Sequence, residues 1–558
     1  MQRHNISLIG PPGVGKSSAG QHIAQQLNWR FIDTDAVIVQ QQGMPVHHII
    51  DTRGRSYFRQ CEQQVCRDLA QVKQCVIATG GGFALCADNR HLLHTISHVY
   101  SLHANATTLT QRLSGSTQIR PGLQQHPPQP CLQQRMQQLL LQRHSTYSNS
   151  SFLHINTLHK SALQVAKEIV QRHQAAIACA TTANHASDLL VASAGCPPYP
   201  LHIQTGGLKH VGHWLRFVLG HTWRVAIVAD KTVWQHHGSS IAHSLQQINQ
   251  PFDVWLVPGG ERSKTMRTAT RMLHNLLANG FTRDSCILAL GGGCVSDLAG
   301  FVAATFARGI AWLSLPSSLL AMVDACIGGK TAVNLPQAKN MVGAFYPPKA
   351  ILLDPQLLQT LPPAHLKCGV AEIIKHALLA DTTLLHMLQQ PNCCLHNEQL
   401  LQRAIAVKVA LVQQDPFEQA ERMLLNLGHT FGHALESATN YKLLHGNAVA
   451  LGLLAAAHLS HNVGLCSSSL PTTIKQLLTK WQLPTQLPPQ CSPQTIWQIM
   501  QTDKKRHNGQ LRFILLKQPG SPCIYTQVPP HKVLHALNQL APASHKPTPQ
   551  TQAHNKPT

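Results

Sequence analysis

Short apolar runs that end in glycine and lead into amphipathic stretches recur along this chain, the alternation expected of an α/β protein. The first run, ISLIG, opens at Ile6 and gives way to SAGQHIAQQL, an amphipathic helix. RFIDTD ends a second strand, and VIATGGG ends a third at Gly80, Gly81 and Gly82. Residues 174–187, QAAIACATTANHAS, lose that order and are rich in small side chains, which predicts a linker. The pattern resumes at DLLVASAG and continues through RVAIVAD, FDVWLV, ILAL and WLSLPSS, a second α/β unit over residues 188–347. From 543 to 558 the chain is Pro-, Thr- and Gln-rich with almost nothing to bury, so this tail is expected to be disordered. A length of 558 residues also calls for two or three domains, because one hydrophobic core cannot serve it.

Chemistry enters at the glycines. Gly10, four residues, then Gly15-Lys16-Ser17 lie between a strand and a helix, the context that identifies a phosphate-binding loop. Glycines such as Gly13 and Gly15 let backbone N–H groups wrap a triphosphate, and the helix start adds its positive end. Lys16 is placed to contact the β- and γ-phosphates, Ser17 to ligate Mg²⁺, and Ser18 to complete the nucleotide contacts. Asp33 and Asp35 then project from one side of an extended segment. In the second unit, Gly291-Gly292-Gly293 separate ILAL from a helix beginning near Ser296 and Asp297. Such glycines allow close approach to a pyrophosphate, although Ser296 stands where a dinucleotide fingerprint has its last glycine.

Histidines concentrate between Asn426 and His445, in NLGHTFGHALESATNYKLLH. His429 and His433 are four apart, so on a helix both imidazoles leave the same face and could hold a divalent metal. With 36 histidines in the chain, chance explains one such pair equally well on spacing alone.

Composition narrows the partners. Charged residues are only 12%, yet Lys plus Arg minus Asp plus Glu is 45 − 23 = +22. That excess suits anionic partners: nucleic acid, membrane phosphate or phosphorylated metabolites. It is spread along the chain without basic runs interleaved by aromatics, which favours small anions over nucleic acid. No apolar run reaches the length of a membrane span, and the N-terminal apolar run is too short for a signal peptide. The 16 cysteines are scattered, often inside apolar runs, and read as buried thiols in a cytoplasmic protein rather than a disulfide framework.

Across residues 4–173 the phosphate loop, the DTD after strand two, Phe58-Arg59 and the Gly80–Gly82 loop occur in the order and spacing of shikimate kinase, which this stretch resembles. The resemblance implies a P-loop NTPase-type parallel-sheet domain over 1–173 that binds ATP with Mg²⁺. It implies that Asp35, Arg59, Gly80, Gly81, Gly82 and Arg143 hold the acceptor, that Asp33 assists Ser17 at the metal, and that Arg120 begins a lid over the nucleotide. That lid, RPGLQQHPPQPCLQQR, is richer in Gln and Pro than the family's, with Gly122 in place of leucine, and a looser lid would admit water.

From 188 to about 540 the runs GGGCVSDLAGF, VDACIGGKTAVN, KNMVGAFY, AEIIK, NLGHTFGHA and LHG resemble 3-dehydroquinate synthase nearly continuously. The resemblance implies an NAD-binding α/β subdomain over 188–347 and a mostly α-helical metal- and substrate-binding subdomain over 348–542. Asp230, Glu261, Lys264, Gly292, Gly293, Asp297, Ser317, Ser318, Asp324 and Thr360 would line the NAD site, joined by Lys330, and Lys339 would contact either cofactor or substrate. Arg308, Lys330, Asn340, Lys375, Lys408, Arg422 and Asn426 would hold the substrate, with Lys504 or Lys505 at its phosphate. Glu372, His429 and His445 would bind Zn²⁺ or Co²⁺, which moves His433 to the substrate side for proton traffic or phosphate contact. The chain departs from the family at Ala364-His365, where Arg-Glu is usual, and at Asn447, where Glu follows His-Gly. Because Asn447 adjoins His445, its loss of charge is expected to weaken the support of that ligand.

Together the two resemblances imply a bifunctional enzyme of aromatic biosynthesis, homodimeric through the second unit. There NAD⁺ would take and return one hydride without net oxidation while phosphate is eliminated. The alternatives are a related sugar-phosphate cyclase joined to another small-molecule kinase, or a degenerate nucleotide-binding protein. Asn426, His433, Lys330 and Lys339 argue against the first, and intact Lys16, Glu372, His429 and His445 against the second.

Overall fold

The computed structural model describes residues 5–114, 131–151, 153–180, 187–193, 197–222, 224–502 and 511–542. Arg120, Lys504, Lys505 and the 543–558 tail lie outside them.

The first unit runs β1 (Asn5–Ile9), α1 (Lys16–Leu27), β2 (Arg30–Asp33), α2 (Thr34–Gln42), α3 (Val46–Asp68), β3 (Cys75–Ala78), α4 (Ala87–Ile96), β4 (Ser97–His103), α5 (Ala106–Ser114), α6 (Leu132–Asn149), β5 (Leu153–Asn156) and α7 (Ala162–Ala180). Its five strands form one parallel sheet ordered β2-β3-β1-β4-β5. β1 is buried along its whole length, as a central parallel strand with helices on both faces must be. At its end the backbone turns through Gly15, at φ 97°, into α1, a left-handed geometry that a side chain would strain.

α7 corrects the expected boundary. It continues through 174–180 with Ala175 and Ala176 buried, so the small-residue stretch read as linker begins as helix. Alanine is the best helix former and packs closely, so loss of amphipathic contrast was the wrong signal for loop. α7 packs on α8 (Val211–Leu219), where the buried Arg172 donates to the terminal carbonyls of Val218 at 3.4 Å and Leu219 at 3.1 Å.

The second unit places β6 (Ser187–Val191), β7 (Tyr199–Ile203), β8 (Val225–Asp230), β9 (Phe252–Val257), β10 (Cys286–Gly291), β11 (Ala311–Pro316) and β14 (Ala350–Leu353) in one sheet ordered β6-β7-β14-β11-β10-β8-β9. Every pairing is parallel except β6 with β7. β14 lies inside this sheet, so the α/β subdomain extends past residue 347. The helices α9 (Lys231–Gln247), α10 (Met266–Ala278) and α11 (Gly293–Thr305) connect these strands, and β12 (Lys330–Leu335) and β13 (Ala338–Phe345) form a separate antiparallel hairpin. Because β8 leads to β9 on one side and β10 to β11 on the other, the sheet's connections diverge between β8 and β10, where α/β folds bind ligands.

A helical layer follows: α12 (Pro363–Ala380), α13 (Thr382–Gln389), α14 (Glu398–Gln414), α15 (His429–Ala438) and α16 (His445–Asn462). α12 is buried from Cys368 to Leu379, which makes it the axis of the layer. α16 reaches it only because Gly446 lacks a side chain; a Cβ there would lie 2.2 Å from Cys368 Cα. Gly452 likewise lets α16 cross the start of α15, where a Cβ would lie 2.0 Å from Gly428 O.

Candidate active sites

In the first unit, Lys16 folds back over its own loop and donates to Gly10 O at 2.8 Å and Pro11 O at 3.0 Å. Ser17 Oγ donates to Asp33 Oδ2 at 2.7 Å, while Asp33 Oδ1 accepts from Asp35 N at 3.1 Å and so caps α2. Hydroxyl and carboxylate thus stand side by side at the exposed start of α1, a donor pair that suits Mg²⁺. The Gly80–Gly82 loop packs against this region. A Cβ on Gly80 would lie 2.3 Å from Asp35 Oδ1, on Gly81 3.2 Å from Pro12, and on Gly82 2.2 Å from an Arg59 nitrogen. Arg143 donates to Gly81 O at 2.9 Å, and Tyr147 OH donates to the same carbonyl. Asp35, Arg59, Arg143 and the three glycines therefore share one cradle beside the phosphate loop. Ser18 is exposed on the first turn of α1.

Arg59 also pairs with Glu62, which is 1% exposed and had no site role in the sequence reading. Burial pushes the Glu62 carboxyl up from 4.5 to about 7, against the opposing pull of Arg59. The folded chain therefore holds this proton more tightly than the unfolded chain. Its contribution to stability is complete below about pH 4.5 and is lost as pH rises through about 7. Ligand-free protein is expected to lose thermal stability between about pH 5 and 8 more steeply than Glu62→Gln; identical pH slopes in calorimetry would refute this.

In the second unit, three helices bring three ligand atoms together. Glu372 on α12, fully buried, has Oε1 3.5 Å from His429 Nε2 at the start of α15 and 3.3 Å from His445 Nε2 at the start of α16. These atoms lie within 4.8 Å of one another, as a metal site requires. His429 Nδ1 is 3.2 Å from Leu427 O, which fixes the proton there and leaves the Nε2 lone pair free to coordinate. The i, i+4 partner His433 stands edge-on to His429 with ring centroids 5.5 Å apart and is not part of this cluster. Spacing thus picked out one member of this cluster of three.

The cluster continues into cations. Lys375, 1% exposed, pairs with Glu372, and Lys408 Nζ reaches Asp324 O at 2.7 Å and also its carboxylate. Burial alone would raise the Glu372 and Asp324 carboxyls, but Lys375 leads the charges that hold both below the ordinary carboxylate range. Both carboxylates therefore stay ionised, ready for a cation. His376, fully buried one turn beyond Glu372, is pushed down to about 3, chiefly by burial and then by Lys375.

Glu418, absent from the sequence reading, pairs with Lys330 and accepts from Asn426 Nδ2 at 3.2 Å. It sits at φ 59° in the loop before Arg422, and no periodicity marks it. Arg422, 1% exposed, gives its guanidinium to the carbonyls of Gly328 and Pro416, which makes it a brace between these two turns rather than a free anion contact.

On the sheet side, Lys264 bridges Asp297 and Asn340, so groups assigned separately to cofactor and substrate meet. Glu261 accepts from Asn334 and from Cys294. Gly293 opens α11 with little room for a side chain, since a Cβ there would lie 2.9 Å from Ala325 Cβ, while one on the preceding Gly292 would meet Ser318 Oγ at 3.4 Å. Ser318 Oγ is 3.3 Å from Ala321 N, and Ser317 is buried beside it. Asp230 caps α9, accepting from Thr232 N at 2.8 Å, and Thr360 Oγ1 is 2.7 Å from His237 Nε2. These groups surround the strand ends where the sheet's connections diverge. Lys339 lies 4.0 Å from the Tyr441 ring centre. Arg308 is exposed in the turn after α11 and makes no ion pair with these groups among the described residues.

Comparison with known proteins bears on both units. Residues 12–174 match the shikimate kinase family, 254–368 the 3-dehydroquinate synthase N-terminal family and 369–506 its C-terminal counterpart. A 3-dehydroquinate synthase of Thermosynechococcus vestitus is 42% identical over 323 residues, 56% of this chain and 88% of that protein. One from Acaryochloris marina is 40% identical over 360 residues, 62% of this chain and 96% of its own length. A solved 2-epi-5-epi-valiolone synthase of Streptomyces hygroscopicus, with NAD⁺ and Zn²⁺ bound, aligns at a TM-score of 0.55 and 28% identity. That alignment covers 61% of this chain and 96% of that one.

Proposed function

The chain belongs to the 3-dehydroquinate synthase family and carries a shikimate kinase domain ahead of it, and from this we propose a single bifunctional shikimate-pathway enzyme with two defined substrates. The second unit converts 3-deoxy-D-arabino-heptulosonate 7-phosphate to 3-dehydroquinate and phosphate; the first phosphorylates the 3-hydroxyl of shikimate with ATP. The observation that carries the synthase half is the convergence of Glu372, His429 and His445 next to Lys375, Lys408 and the Lys330–Glu418 pair.

One buried carboxylate and two imidazoles with Nε2 turned inward fit Zn²⁺ or Co²⁺, and the glycine-lined divergence of the sheet fits NAD. When bound, the metal would polarise a substrate hydroxyl and NAD⁺ would take up and return one hydride. The chain's own residues do the rest. Lys330, Asn340, Lys375, Lys408 and Asn426 hold the substrate's carboxylate, phosphate and hydroxyls, and they stabilise negative charge as it develops. His433 and Glu418 are placed for proton transfer at the substrate. In the kinase half, Ser17 and Asp33 would hold Mg²⁺, Lys16 and the loop amides the phosphates, and Asp35 the attacking hydroxyl. Arg59 and Arg143 would hold the acceptor's carboxylate.

A cyclase making a different cyclic polyol is disfavoured by the 42% identity to a dehydroquinate synthase and by the presence of Asn426, His433, Lys330 and Lys339. We place the enzyme in the cytoplasm: cysteines whose side chains are described are free thiols, which suits a reducing compartment, and no described helix is long and apolar enough to cross a membrane. We also propose a homodimer formed through the synthase unit; a monomeric mass by light scattering at micromolar concentration would refute it.

Two assays on the purified chain test the function. Phosphate should be released from the heptulosonate phosphate in the presence of NAD⁺ and Zn²⁺, and ADP should form with shikimate, ATP and Mg²⁺. Failure of either substrate to turn over removes that half of the assignment.

A further inference from the structure

Both proposed imidazole ligands set their second nitrogen against an oxygen acceptor, but by different means. His429 Nδ1 faces the carbonyl of Leu427 at 3.2 Å, a partner two residues away in its own chain segment. His445 is the first residue of α16, and its Nδ1 lies 3.5 Å from Glu436 Oε1 on α15. Glu436 follows His429 by seven residues, so the two share a face of α15. The connection between the helices then brings His445 back across that face. Only 13% of the Glu436 side chain is exposed, and its one ion pair among the described residues is with His445.

We propose that Glu436 is a positioning residue for His445, holding its proton on Nδ1 so that Nε2 points at Glu372 and His429. A carboxylate behind a metal-bound histidine fixes the tautomer and ring angle and makes the imidazole a better donor. The inference rests on the metal reading of this cluster and adds to it a residue that touches no ligand atom of the metal.

It also removes an apparent defect. Asn447 replaces the acidic residue expected after His445-Gly446 and was read as a weakening of that ligand's support. Residues two apart on a helix diverge by roughly 200°. Accordingly, Asn447 turns to a surface pocket lined by Ala364, Lys367, Thr479 and Gln482. Ala364 and Asn447, two of the departures from the family pattern, both line that pocket. The carboxylate that supports His445 comes from the other helix and is present.

The test uses the full-length chain stripped of metal, then titrated with Zn²⁺ against a chromophoric chelator and with Co²⁺ by its visible absorption. Glu372→Gln supplies the baseline for binding by histidines elsewhere. Glu436→Gln should weaken Zn²⁺ binding at this site by about 10- to 100-fold and shift the Co²⁺ bands, with NAD⁺ affinity unchanged. Asn447→Glu should leave both readouts at wild type. Wild-type Zn²⁺ affinity and Co²⁺ spectrum in Glu436→Gln would overturn the proposal alone. A parent chain no better than Glu372→Gln would overturn the metal reading with it. Loss of NAD⁺ affinity in parallel with Zn²⁺ would mark a general collapse of the site and count against a positioning role.

Discussion

Glu372→Gln is expected to end phosphate release from the heptulosonate phosphate while ADP formation with shikimate continues at the wild-type rate. Glu372 is the only carboxylate among the three clustered residues proposed to hold the metal, and it is fully buried. A neutral amide there is a poor ligand for a hard or borderline cation. Losing several kcal/mol of metal stabilisation corresponds to a rate deficit of about 10³-fold or more. The same change removes one of the three carboxylates, with Asp324 and Glu418, whose charges support the buried Lys375 ammonium. Breaking a buried pair outright costs about 3–5 kcal/mol, and the loss here should be smaller because Asp324 still faces Lys375. Zinc content, phosphate release and thermal unfolding measured on one preparation separate the two effects. Retention of phosphate release at the wild-type rate would remove Glu372 from the metal site.

Lys16→Ala should give the opposite pattern: ADP formation falls by about 10²- to 10³-fold, the usual result of removing one donor from a charge-stabilising site, and phosphate release is untouched. Lys16 is 9% exposed, and its ammonium is held by the Gly10 and Pro11 carbonyls of the loop it serves. The substitution therefore removes a charge already gathered over the glycine loop, with little disturbance of the β1–α1 packing beneath it. Coupled assays at saturating shikimate and ATP would show the difference. Near-normal turnover would mean that the loop amides alone bind the triphosphate productively.

The local chemistry of both units was legible because it is carried by short contiguous segments. Strand, glycines and helix follow one another within Ile6–Leu27 and again within Cys286–Thr305, and each folds as its own pattern requires. Where reading failed, the missing information was non-local. The alanine-rich stretch after His173 reads as linker until α7 is seen to run on to Ala180 with Ala175 and Ala176 buried in the core. β14 reads as the start of a helical domain until its pairing with β11 and β7 puts it in the sheet. Glu418 carries no periodicity; only its contact with Lys330 and Asn426 marks it.

By itself, the sequence determined the two α/β units, the phosphate loop, the glycine turn at the sheet's divergence and the helix that carries His429, His433 and Glu436. Each follows from backbone geometry within a few residues. The tertiary structure alone decided what stands opposite those side chains. A spacing of four says that His429 and His433 share a helix face, but not which groups face it. That depended on Gly446 and Gly452 letting α16 press close enough to α12 and α15 for His445 to reach Glu372 on one side and Glu436 on the other.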